Sequence, residues 1–390
     1  MSESDVSPKR KVCVVTGSRS EYGILRPVMR AIRASEKLDL RVLATGMHLS
    51  REHGRTLDEI RKDGFEVDAS PVLLPDGDTP SAMGRAVGQG TVSLIDALEK
   101  LDPDVVLVLG DRTEAFAAAV ASVFLRKCLV HVHGGDSGRG GFDESMRHAI
   151  TKLAHVHFAA TQKSAERIIR MGEPPEHVHV VGAPGLDEAL AGPFFECDEL
   201  GRKLGGDLSR APVVVVQHSV STRPEDAAGE ITETMEAVRR TGRPAIAIYP
   251  NNDAGGAAVI ETIRGYETRK IVTAFASLPR TEFLSLLRCA GALVGNSSSG
   301  IIEAASFKLP VVSVGERQLG REHAENVIDV PDARRENIRE ALDRALSPEF
   351  RAGLANLANP YGDGHASERI VRALEELKID HRLIQKQFVD

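Results

Sequence analysis

Residues 104–136 read DVVLVLGDRTEAFAAAVASVFLRKCLVHVHGGD and contain two apolar runs separated by a helical stretch. The runs at 105–110 and 129–133 are typical of strands buried on both faces of a parallel sheet, because polar and apolar residues do not alternate along them. The segment 114–126 between them predicts a helix. Strand, helix and strand in this order predict a parallel sheet with helices on both faces.

The same alternation extends outward from this unit. In the first half of the chain, further strands are predicted at 12–16, 40–44 and 157–160, with helices at 86–101, 145–153 and 164–171. In the second half, strands are predicted at 212–217, 245–249, 292–294 and 311–314. The glycine- and proline-containing region 182–211 interrupts the pattern and predicts an interdomain linker.

Two such series predict an α/β protein with two Rossmann-like domains that face a cleft, at 1–185 and 205–365. The length agrees, since one core rarely grows beyond about 250–300 residues and this chain has 390. Lys and Arg number 49 against 56 Asp and Glu, and the net charge of −7 disfavours a nucleic-acid partner. No apolar run approaches the ~18–20 residues of a membrane span, and the polar N-terminus does not resemble a signal peptide. We therefore expect a cytoplasmic protein with no membrane partner.

Cysteine usage agrees with that compartment. The four cysteines stand at positions 13, 128, 197 and 289 and show no CxxC spacing. This arrangement excludes a zinc ribbon and a disulfide scaffold, and it predicts reduced thiols.

Turns at the carboxyl ends of the predicted strands hold the residues that could carry chemistry. The segment GSRSEYG at 17–23 suits an anion beside a helix N-terminus, or is simply a tight turn. Asp111 and Arg112 follow a buried strand. A charged pair in this position costs folding free energy unless it is solvated, ion-paired or has a functional role. The alternative for Asp111 is an ordinary helix N-cap.

The next strand ends in His131, His133 and Asp136. A period of two places both histidines on one face of the strand, and with Asp136 they could bind a metal. Because no third ligand is fixed by spacing, a catalytic or ligand-binding role for His133 is favoured over a metal site. Asp143 and Glu144 then open a helix, where they complement its dipole or serve the site.

In the second series, His218 ends the first strand and suits proton transfer, with a structural histidine as the alternative. The segment NSSSGIIE at 296–303 suits a diphosphate at a helix N-terminus, with Glu303 placed to accept from ribose hydroxyls. A well-capped helix is the alternative for this segment. Arg317 and Arg321 supply two cations for the same anion, or lie in a solvated loop.

Taken in order, nine segments resemble the hydrolysing UDP-N-acetylglucosamine 2-epimerases of sialic-acid-type sugar synthesis. They are GSRSEYG (17–23), GMHLSREHG (46–54), GDRTEAF (110–116), DESMRHAITKLAH (143–155), QHSVST (217–222), YPNNDAG (249–255), GNSSSGIIEA (295–304), GERQLGREHAENV (315–327) and YGDGHASERI (361–370). The resemblance implies a glycosyltransferase-B-like fold whose C-terminal helix, within 366–390, crosses back to the first domain. It also implies a UDP-sugar substrate, no metal or redox cofactor, and a homo-oligomer, either a dimer or a tetramer.

The resemblance implies a reaction in two stages. UDP leaves C1 as the C2 proton is removed, which gives an enzyme-bound glycal. Water then adds at C1 while C2 is reprotonated on the opposite face, so UDP-N-acetylglucosamine gives UDP and N-acetylmannosamine. The residues that match the acid/base groups of the family, or lie beside them, are Asp111, His133, Asp143, Glu144 and His218. The residues expected to contact the substrate are Arg19, His48, Arg112, Asp136, Asn251, Ser298, Ser299, Gly300, Glu303, Arg317 and Arg321.

One segment varies within the family. Some members have EGGE where this chain has His133, Gly134, Gly135 and Asp136, so Asp136 or Glu144 could take the place of the missing carboxylate. Relatives also act on UDP- or GDP-linked 2,4-diacetamido sugars, and this substrate class stays open because the changed loop lies beside the sugar. The sequence also leaves open a non-hydrolysing epimerase, a glycosyltransferase and a non-catalytic nucleotide-sugar binding module.

Overall fold

The computed structural model describes residues 8–50, 56–74, 80–137, 143–206, 208–220, 223–250, 255–387 and 389. The chain forms two compact units, of which the first comprises the described residues within 1–136, 142–188 and 364–390, and the second comprises those within 137–141 and 189–363. Each unit is built on a six-stranded parallel sheet with helices packed on it. This confirms the predicted α/β class with two Rossmann-like domains.

In the first unit, the strands run in the order β2-β1-β3-β4-β5-β6. Their bounds are β1 (Arg10–Thr16), β2 (Leu38–Ala44), β3 (Val105–Leu109), β4 (Cys128–Val132), β5 (Val156–Ala159) and β6 (Val178–Val180). Successive residues of β1 enter the cores on opposite faces of the sheet, Val14 with Leu25 on one face and Val15 with Leu94 on the other. The sheet is therefore covered on both faces, which explains the continuous apolar runs in its sequence.

Helices of the first unit follow its strands in βαβ order. They are α1 (Arg19–Ala34), α2 (Leu57–Lys62), α3 (Pro80–Leu101), α4 (Thr113–Phe124), α5 (Asp143–Leu153), α6 (Gln162–Arg170) and α7 (Gly185–Ala191), within which the division between the units falls. Short 3₁₀ turns cover Gly46–Leu49 and Pro175–His177.

The C-terminal segment returns to the first unit and supplies α15 (Ala366–Glu376) and α16 (His381–Ile384). Ile370 and Leu374 of α15 are buried in the same core as α1. Asp187 caps the first turn of α15 by accepting hydrogen bonds from the N–H groups of Ala366 at 2.9 Å and Ser367 at 2.6 Å. This packing confirms the expected return of the C-terminal helix to the first domain.

In the second unit, the strands run in the order β12-β11-β10-β7-β8-β9. Their bounds are β7 (Val213–Val216), β8 (Ala245–Ile248), β9 (Thr273–Phe275), β10 (Ala292–Gly295), β11 (Val311–Val314) and β12 (Val327–Val330). The helices are α8 (Cys197–Leu204), α9 (Ala227–Arg239), α10 (Gly256–Thr268), α11 (Arg280–Cys289), α12 (Ser298–Ile302), α13 (Arg335–Ala345) and α14 (Pro348–Gly353). No helix in the described part of the chain is both long and apolar enough to cross a membrane.

The boundary between the two units falls within the region 182–211, where the sequence predicts the interdomain linker, and this region also contains α7 and α8. Helix α8 packs against α11. One expectation needs correction, because this packing brings the Cα atoms of Cys197 and Cys289 to 5.6 Å, and the two residues form a disulfide bond rather than the expected reduced thiols. They are 92 residues apart, so spacing in the sequence carried no signal of the bond. Cys13 and Cys128 are free and buried, as expected of reduced thiols.

Candidate active site

The carboxyl ends of β1, β3 and β4 lie side by side in the first unit, because these strands are parallel neighbours in the sheet. The turns that follow them contain the segment after Thr16, the Asp111–Arg112 pair and His133. Three of the predicted turns are thus brought to one edge of the sheet, where ligands of parallel α/β sheets bind.

Arg147 of α5 connects the acidic residues at this edge. Its guanidinium donates hydrogen bonds to the carboxylates of Asp111 and Glu144, the latter at 2.7 Å, and to the carbonyl oxygen of Asp136 at 3.1 Å. The Arg147 side chain is 10% exposed, so these interactions are poorly screened by water. Asp111 is not a helix cap, since the N-cap of α4 is Arg112, and its carboxylate is bound by Arg147 instead.

His133 and Asp136 form a hydrogen-bonded pair. Nδ1 of His133 lies 3.0 Å from Oδ2 of Asp136, and Oδ1 of Asp136 accepts a hydrogen bond from Ser164 at 2.8 Å. A carboxylate only accepts, so Nδ1 carries a proton, and in the neutral form of the ring the lone pair is on Nε2. With its imidazole fixed in this tautomer, His133 is equipped to act as a general base through Nε2.

The two-residue alternation expected from the sequence does not extend to His133, which lies beyond the strand that contains His131. Strand β4 ends at Val132, and His133 has a left-handed φ of 62°, which turns it out of the strand. His131 is fully buried, and its Nε2 donates to the carbonyl oxygen of Gly110 at 2.7 Å. Burial lowers the pKa of His131 to about 3, so its imidazole is neutral and structural. The described residues contain no group of three His, Cys, Asp or Glu side chains arranged to hold a metal.

Arg112 lies beside two buried carboxylates. Its Nε is 3.4 Å from Glu114 and 3.8 Å from Glu21. The Glu114 side chain fits between two glycines, since an added Cβ would lie 2.6 Å from its Cγ at Gly17 and 2.3 Å from its Oε1 at Gly46. Glycine is therefore required at both positions for close approach to Glu114, and the loops after β1 and β2 close around this side chain.

Glu21 is also held within this loop. Its Oε2 accepts from the N–H of Gly17 at 2.9 Å and from the hydroxyl of Ser18 at 3.2 Å. Burial, followed by repulsion from Glu114, raises the pKa of Glu21 to about 7 despite the nearby Arg112 cation. Glu21 is therefore protonated in part near neutral pH, and the Arg112 cation lies beside both carboxyl groups at the end of the sheet.

His48, expected to lie near the sugar, is fully buried beneath these loops. Its Nε2 lies 3.0 Å from the hydroxyl of Thr16, and its Nδ1 lies 2.7 Å from the hydroxyl of Thr56. Burial lowers the pKa of His48 to about 4, so the ring is neutral. With both nitrogens engaged by threonines, His48 shapes the loops, and a direct sugar contact stays a prediction.

Three other predicted residues have simpler outcomes. Arg19 begins α1, is 71% exposed and pairs with Glu59 at 3.1 Å. Asp143 begins α5, one turn before Arg147, and the structure describes its backbone only. Asn251 lies outside the described residues.

In the second unit, Gly295 ends β10 and leads into the predicted phosphate-binding segment. An added Cβ at Gly295 would lie 2.1 Å from the carbonyl oxygen of Val216, so only glycine lets β10 approach the end of β7 this closely. The next residue, Asn296, is buried and binds the backbone of His218 through both ends of its side-chain amide. The predicted histidine is therefore fixed to the start of the Asn296–Gly300 turn.

The serines of this turn have distinct roles. Ser297 caps α12 by accepting from the N–H of Ser299 at 3.4 Å, and its hydroxyl is 2.8 Å from that of Ser299. Ser298 is exposed at the first position of the helix. Gly300 is needed for packing, since an added Cβ would lie 2.9 Å from Leu293 and 3.0 Å from Val311. A contact between Gly300 and substrate stays a prediction.

Buried polar atoms in the second unit lack protein partners. Among the described residues, Oε1 of Gln217, Oγ of Ser219 and Oε2 of Glu303 have none. The other oxygen of Glu303 accepts from Arg280, and the residue is 8% exposed. Buried polar groups are costly without partners, so these atoms are suited to bind ligand hydroxyl or amide groups.

The two predicted cations occupy the loop after β11. Arg317 donates to the carbonyl oxygen of Asn296 at 3.0 Å, and Arg321 donates to Oε1 of Gln318 at 3.0 Å. Gln318 in turn donates to the same carbonyl of Asn296 at 3.0 Å. Both arginines are thus tied, directly or through Gln318, to the turn that begins at Asn296.

Sequence reasoning missed four residues that organise these groups, namely Arg147, Ser164, Asn296 and Gln318. Arg147 could have been found, because it lies three residues after Glu144 on a predicted helix and therefore faces it. Asn296 was visible as an amide directly after a buried strand. Ser164 and Gln318 gave no signal, since their partners depend on tertiary contacts.

The chain is similar to known proteins over nearly its whole length. The sequence profile of the family described as UDP-N-acetylglucosamine 2-epimerase matches residues 30–375. A Legionella pneumophila protein named UDP-N,N'-diacetylbacillosamine 2-epimerase (hydrolyzing) is 39% identical over 97% of this chain and 98% of its own. A UDP-N-acetylglucosamine 2-epimerase of Neisseria meningitidis is 30% identical over 98% of this chain and 99% of its own.

A solved structure shows the same fold. The crystal structure of UDP-GlcNAc 2-epimerase from Neisseria meningitidis bound to UDP-GlcNAc superimposes with a TM-score of 0.76 at 20% identity. The match covers 93% of this chain and 99% of that one. The glycosyltransferase-B-like fold expected from the sequence is thereby confirmed.

Proposed function

Because the chain belongs to the UDP-N-acetylglucosamine 2-epimerase family, we propose that it hydrolyses a UDP-linked 2-acetamido sugar with inversion at C2. The products are UDP and the free 2-epimer. The observation that carries the proposal is the group of acid/base side chains held by Arg147 and Asp136 in the first unit. The chemistry of that group suits the transfer of a proton to and from C2.

In the first stage, a base takes the C2 proton as the bond between C1 and the UDP oxygen breaks, and a glycal remains. In the second, water adds at C1 and an acid returns a proton to the opposite face of C2. Inversion therefore needs two groups on opposite faces of the sugar. His133, with its lone pair on Nε2, is one, and a carboxylate from Asp111, Asp143 or Glu144 is the other.

The second unit binds the nucleotide in this proposal. Glu303 and Gln217 have unpartnered buried oxygens that suit ribose or base donors. Ser298 and Ser299, with His218, Arg317 and Arg321, contact the diphosphate and stabilise the charge that develops on the leaving group. Asn251, Arg19 and Arg112 complete the set of substrate contacts.

Two sugars are candidates. The 39% identity to a bacillosamine epimerase favours a UDP-2,4-diacetamido-trideoxyhexose, and the name of that relative also supports the hydrolysing reaction. UDP-N-acetylglucosamine is the second candidate, favoured by the 30% identical relative and by the family description. The presence of histidine at position 133, in the loop predicted to lie beside the sugar, supports a test of both.

The test incubates purified protein with each UDP-sugar in D₂O and follows the reaction by proton NMR. The expected result is UDP together with a free 2-epimer that carries deuterium at C2. Recovery of a UDP-linked epimer without free sugar would instead identify the non-hydrolysing reaction. UDP release only on addition of an acceptor would identify a transferase, and failure to turn over any of these sugars would refute the proposal.

An active-site variant and a matched control test whether the measured turnover comes from this protein. Asp111→Asn keeps the shape of the side chain but removes its charge, and we expect kcat to fall about 10²–10⁴-fold, the usual contribution of a general acid or base. Exposed Asp198→Asn on α8 is the control and should retain the wild-type rate.

A further inference from the structure

The last described residues of the chain reach the end of the helix that carries the acid/base group. The ammonium of Lys386 donates to the carbonyl oxygens of Lys152 at 2.7 Å and Ala154 at 2.6 Å, with that of Thr151 at 3.3 Å. These carbonyl groups lie at the C-terminal end of α5. The last carbonyl groups of a helix have no N–H partner within the helix, and the helix dipole favours a cation there. Lys386 therefore caps α5 from a position more than 230 residues away.

An ion cluster around the buried carboxylate of Glu173 fixes Lys386 in this place. Its Nζ lies 2.5 Å from Oε2 of Glu173, whose side chain is fully buried. Glu173 also accepts from Lys152 at 2.6 Å and from His157 at 3.1 Å. Although burial opposes it, the hydrogen bonds from His157, Lys152 and Lys386 lower the pKa of Glu173 to about 2, so the carboxylate is charged at neutral pH. The backbone N–H of Val389 adds a hydrogen bond to Gly172 at 3.2 Å.

The other end of α5 belongs to the site. Asp143 and Glu144 lie in its first turn, and Arg147 in the second turn binds Asp111. The hydroxyl of Thr151 donates to the carbonyl oxygen of Arg147 at 3.0 Å. Thr151, whose own carbonyl oxygen contacts Lys386, therefore connects the capped end of α5 to Arg147. At eleven residues the helix is about 16 Å long, and its tilt and axial position set where Arg147 and Glu144 lie.

We propose that Lys386 is a positioning residue for catalysis, which holds the acid/base helix α5 in place by binding its C-terminal carbonyls. Lys386 is too far along the helix to touch the substrate itself, and it acts through α5. The inference rests on the proposed function, because its main readout is turnover.

The first experiment compares Lys386→Met with Lys386→Arg and with the control Lys378→Met, whose side chain is exposed in the same C-terminal segment. A misplacement of 1 Å can cost up to about 10²-fold in rate, and we expect Lys386→Met to lower kcat about tenfold. KM and the affinity for UDP should stay close to the wild-type values, since the second unit is unchanged. Lys386→Arg keeps the cation and should recover most of the rate, and Lys378→Met should be unaffected.

A double-mutant cycle separates positioning from general loss of stability. In a Glu144→Gln background, which already lacks an acid/base carboxylate of α5, Lys386→Met should lower kcat little further. In a Glu303→Gln background, which alters only the second unit, Lys386→Met should lower kcat by the same factor as in the wild type. Equal losses in both backgrounds, or a wild-type kcat for Lys386→Met, would overturn the inference. If Lys386→Met does not fold, Lys386→Gln, which keeps an N–H donor, takes its place in the cycle.

Hydrogen exchange gives a readout that does not depend on activity. Lys386→Met should speed amide exchange in residues 143–154 relative to α4, whereas Lys378→Met should not. Unchanged exchange in α5 would contradict the positioning role. Wild-type turnover is measured in the same assay, so a protein that turns over no UDP-sugar refutes the proposed function, while the exchange result still decides the inference.

Discussion

Asn296 binds both backbone polar groups of His218. Its Oδ1 accepts from the N–H of His218 at 2.7 Å, and its Nδ2 donates to the carbonyl oxygen of His218 at 2.8 Å. The two residues follow neighbouring strands β7 and β10, and Asn296 is 2% exposed. One buried side-chain amide therefore connects His218, the residue proposed to stabilise the leaving diphosphate, to the turn that contains Ser298 and Ser299.

We expect Asn296→Asp to impair turnover by misplacing His218. An aspartate can accept from the N–H of His218, but its second oxygen faces the carbonyl oxygen of His218 and repels it. The expected loss in kcat/KM is about 10–100-fold, smaller than the ~10²–10⁴-fold loss in kcat expected for His218→Ala. Steady-state kinetics on the UDP-sugar measures both.

Asn326→Asp is the matched control, because Asn326 is fully buried in the same unit and its amide donates to the carbonyl oxygen of Leu309 at 2.8 Å. It should lower stability to a similar extent without a comparable loss of kcat/KM. Equal kinetic losses in both variants would show that Asn296 is merely structural.

The His133–Asp136 pair predicts a tautomer effect. Asp136→Asn replaces the acceptor of the Nδ1 proton with a group that can donate, so the proton moves to Nε2 and the base is blocked. We expect kcat to fall about 10²–10⁴-fold while KM changes little, because the size of the side chain is kept. The rate of deuterium entry at C2, measured by NMR, should fall in parallel.

Ser164→Ala serves as the control for this pair. It removes only the second hydrogen bond to Asp136, and the first should still orient the imidazole. We expect a loss of less than about tenfold. If the Asp136→Asn variant incorporated deuterium at C2 at the wild-type rate, His133 would not be the base.

The fold could be predicted from the sequence where strands are buried on both sides. Strand β7, with its run of four valines, and β3 were found for this reason. The three missed strands, β6, β9 and β12, all lie at the edges of their sheets and have exposed or half-buried residues. An edge strand with one neighbour does not need a continuous apolar run, so its sequence resembles that of a loop.

The site was only partly predictable for a related physical reason. Residues directly after strands, such as Asp111 and His133, were marked by their polarity beside buried runs. The side chains that orient them were not, because Ser164 and Lys386 reach their partners through tertiary contacts 28 and more than 230 residues away. The disulfide between Cys197 and Cys289 was missed for the same reason.

Arg147 should not be replaceable by lysine. Its planar guanidinium binds Asp111, Glu144 and the carbonyl oxygen of Asp136 at the same time. The single ammonium group of a flexible lysine side chain cannot reproduce this set of contacts. We expect Arg147→Lys to lower kcat about 10–100-fold with the fold intact, as judged by circular dichroism. Arg30→Lys, at a half-exposed pair with Glu188, is the control and should turn over normally. A wild-type rate for Arg147→Lys would show that charge alone suffices.

The raised pKa of Glu21 predicts that stability falls as the solution becomes more alkaline. In the unfolded chain Glu21 loses its proton near its ordinary pKa of 4.5, whereas burial and Glu114 keep it protonated in the folded protein up to about pH 7. The folded state thus binds one more proton within that window, so the free energy of unfolding drops as pH rises through it. The drop attributable to Glu21 is on the order of 3 kcal/mol, and it levels off once the pH is well above the folded-state pKa of about 7.

Glu21→Gln should remove this part of the pH dependence. The glutamine oxygen can still accept from the N–H of Gly17 and from Ser18, but the side chain carries no charge to repel Glu114. Urea unfolding at pH 5 and pH 8 should show that the variant gains stability relative to the wild type as the pH rises. Glu36→Gln, at an exposed position, is the control and should follow the wild-type pH dependence. If Glu21→Gln also followed the wild-type curve, Glu21 would not be the group that holds the proton.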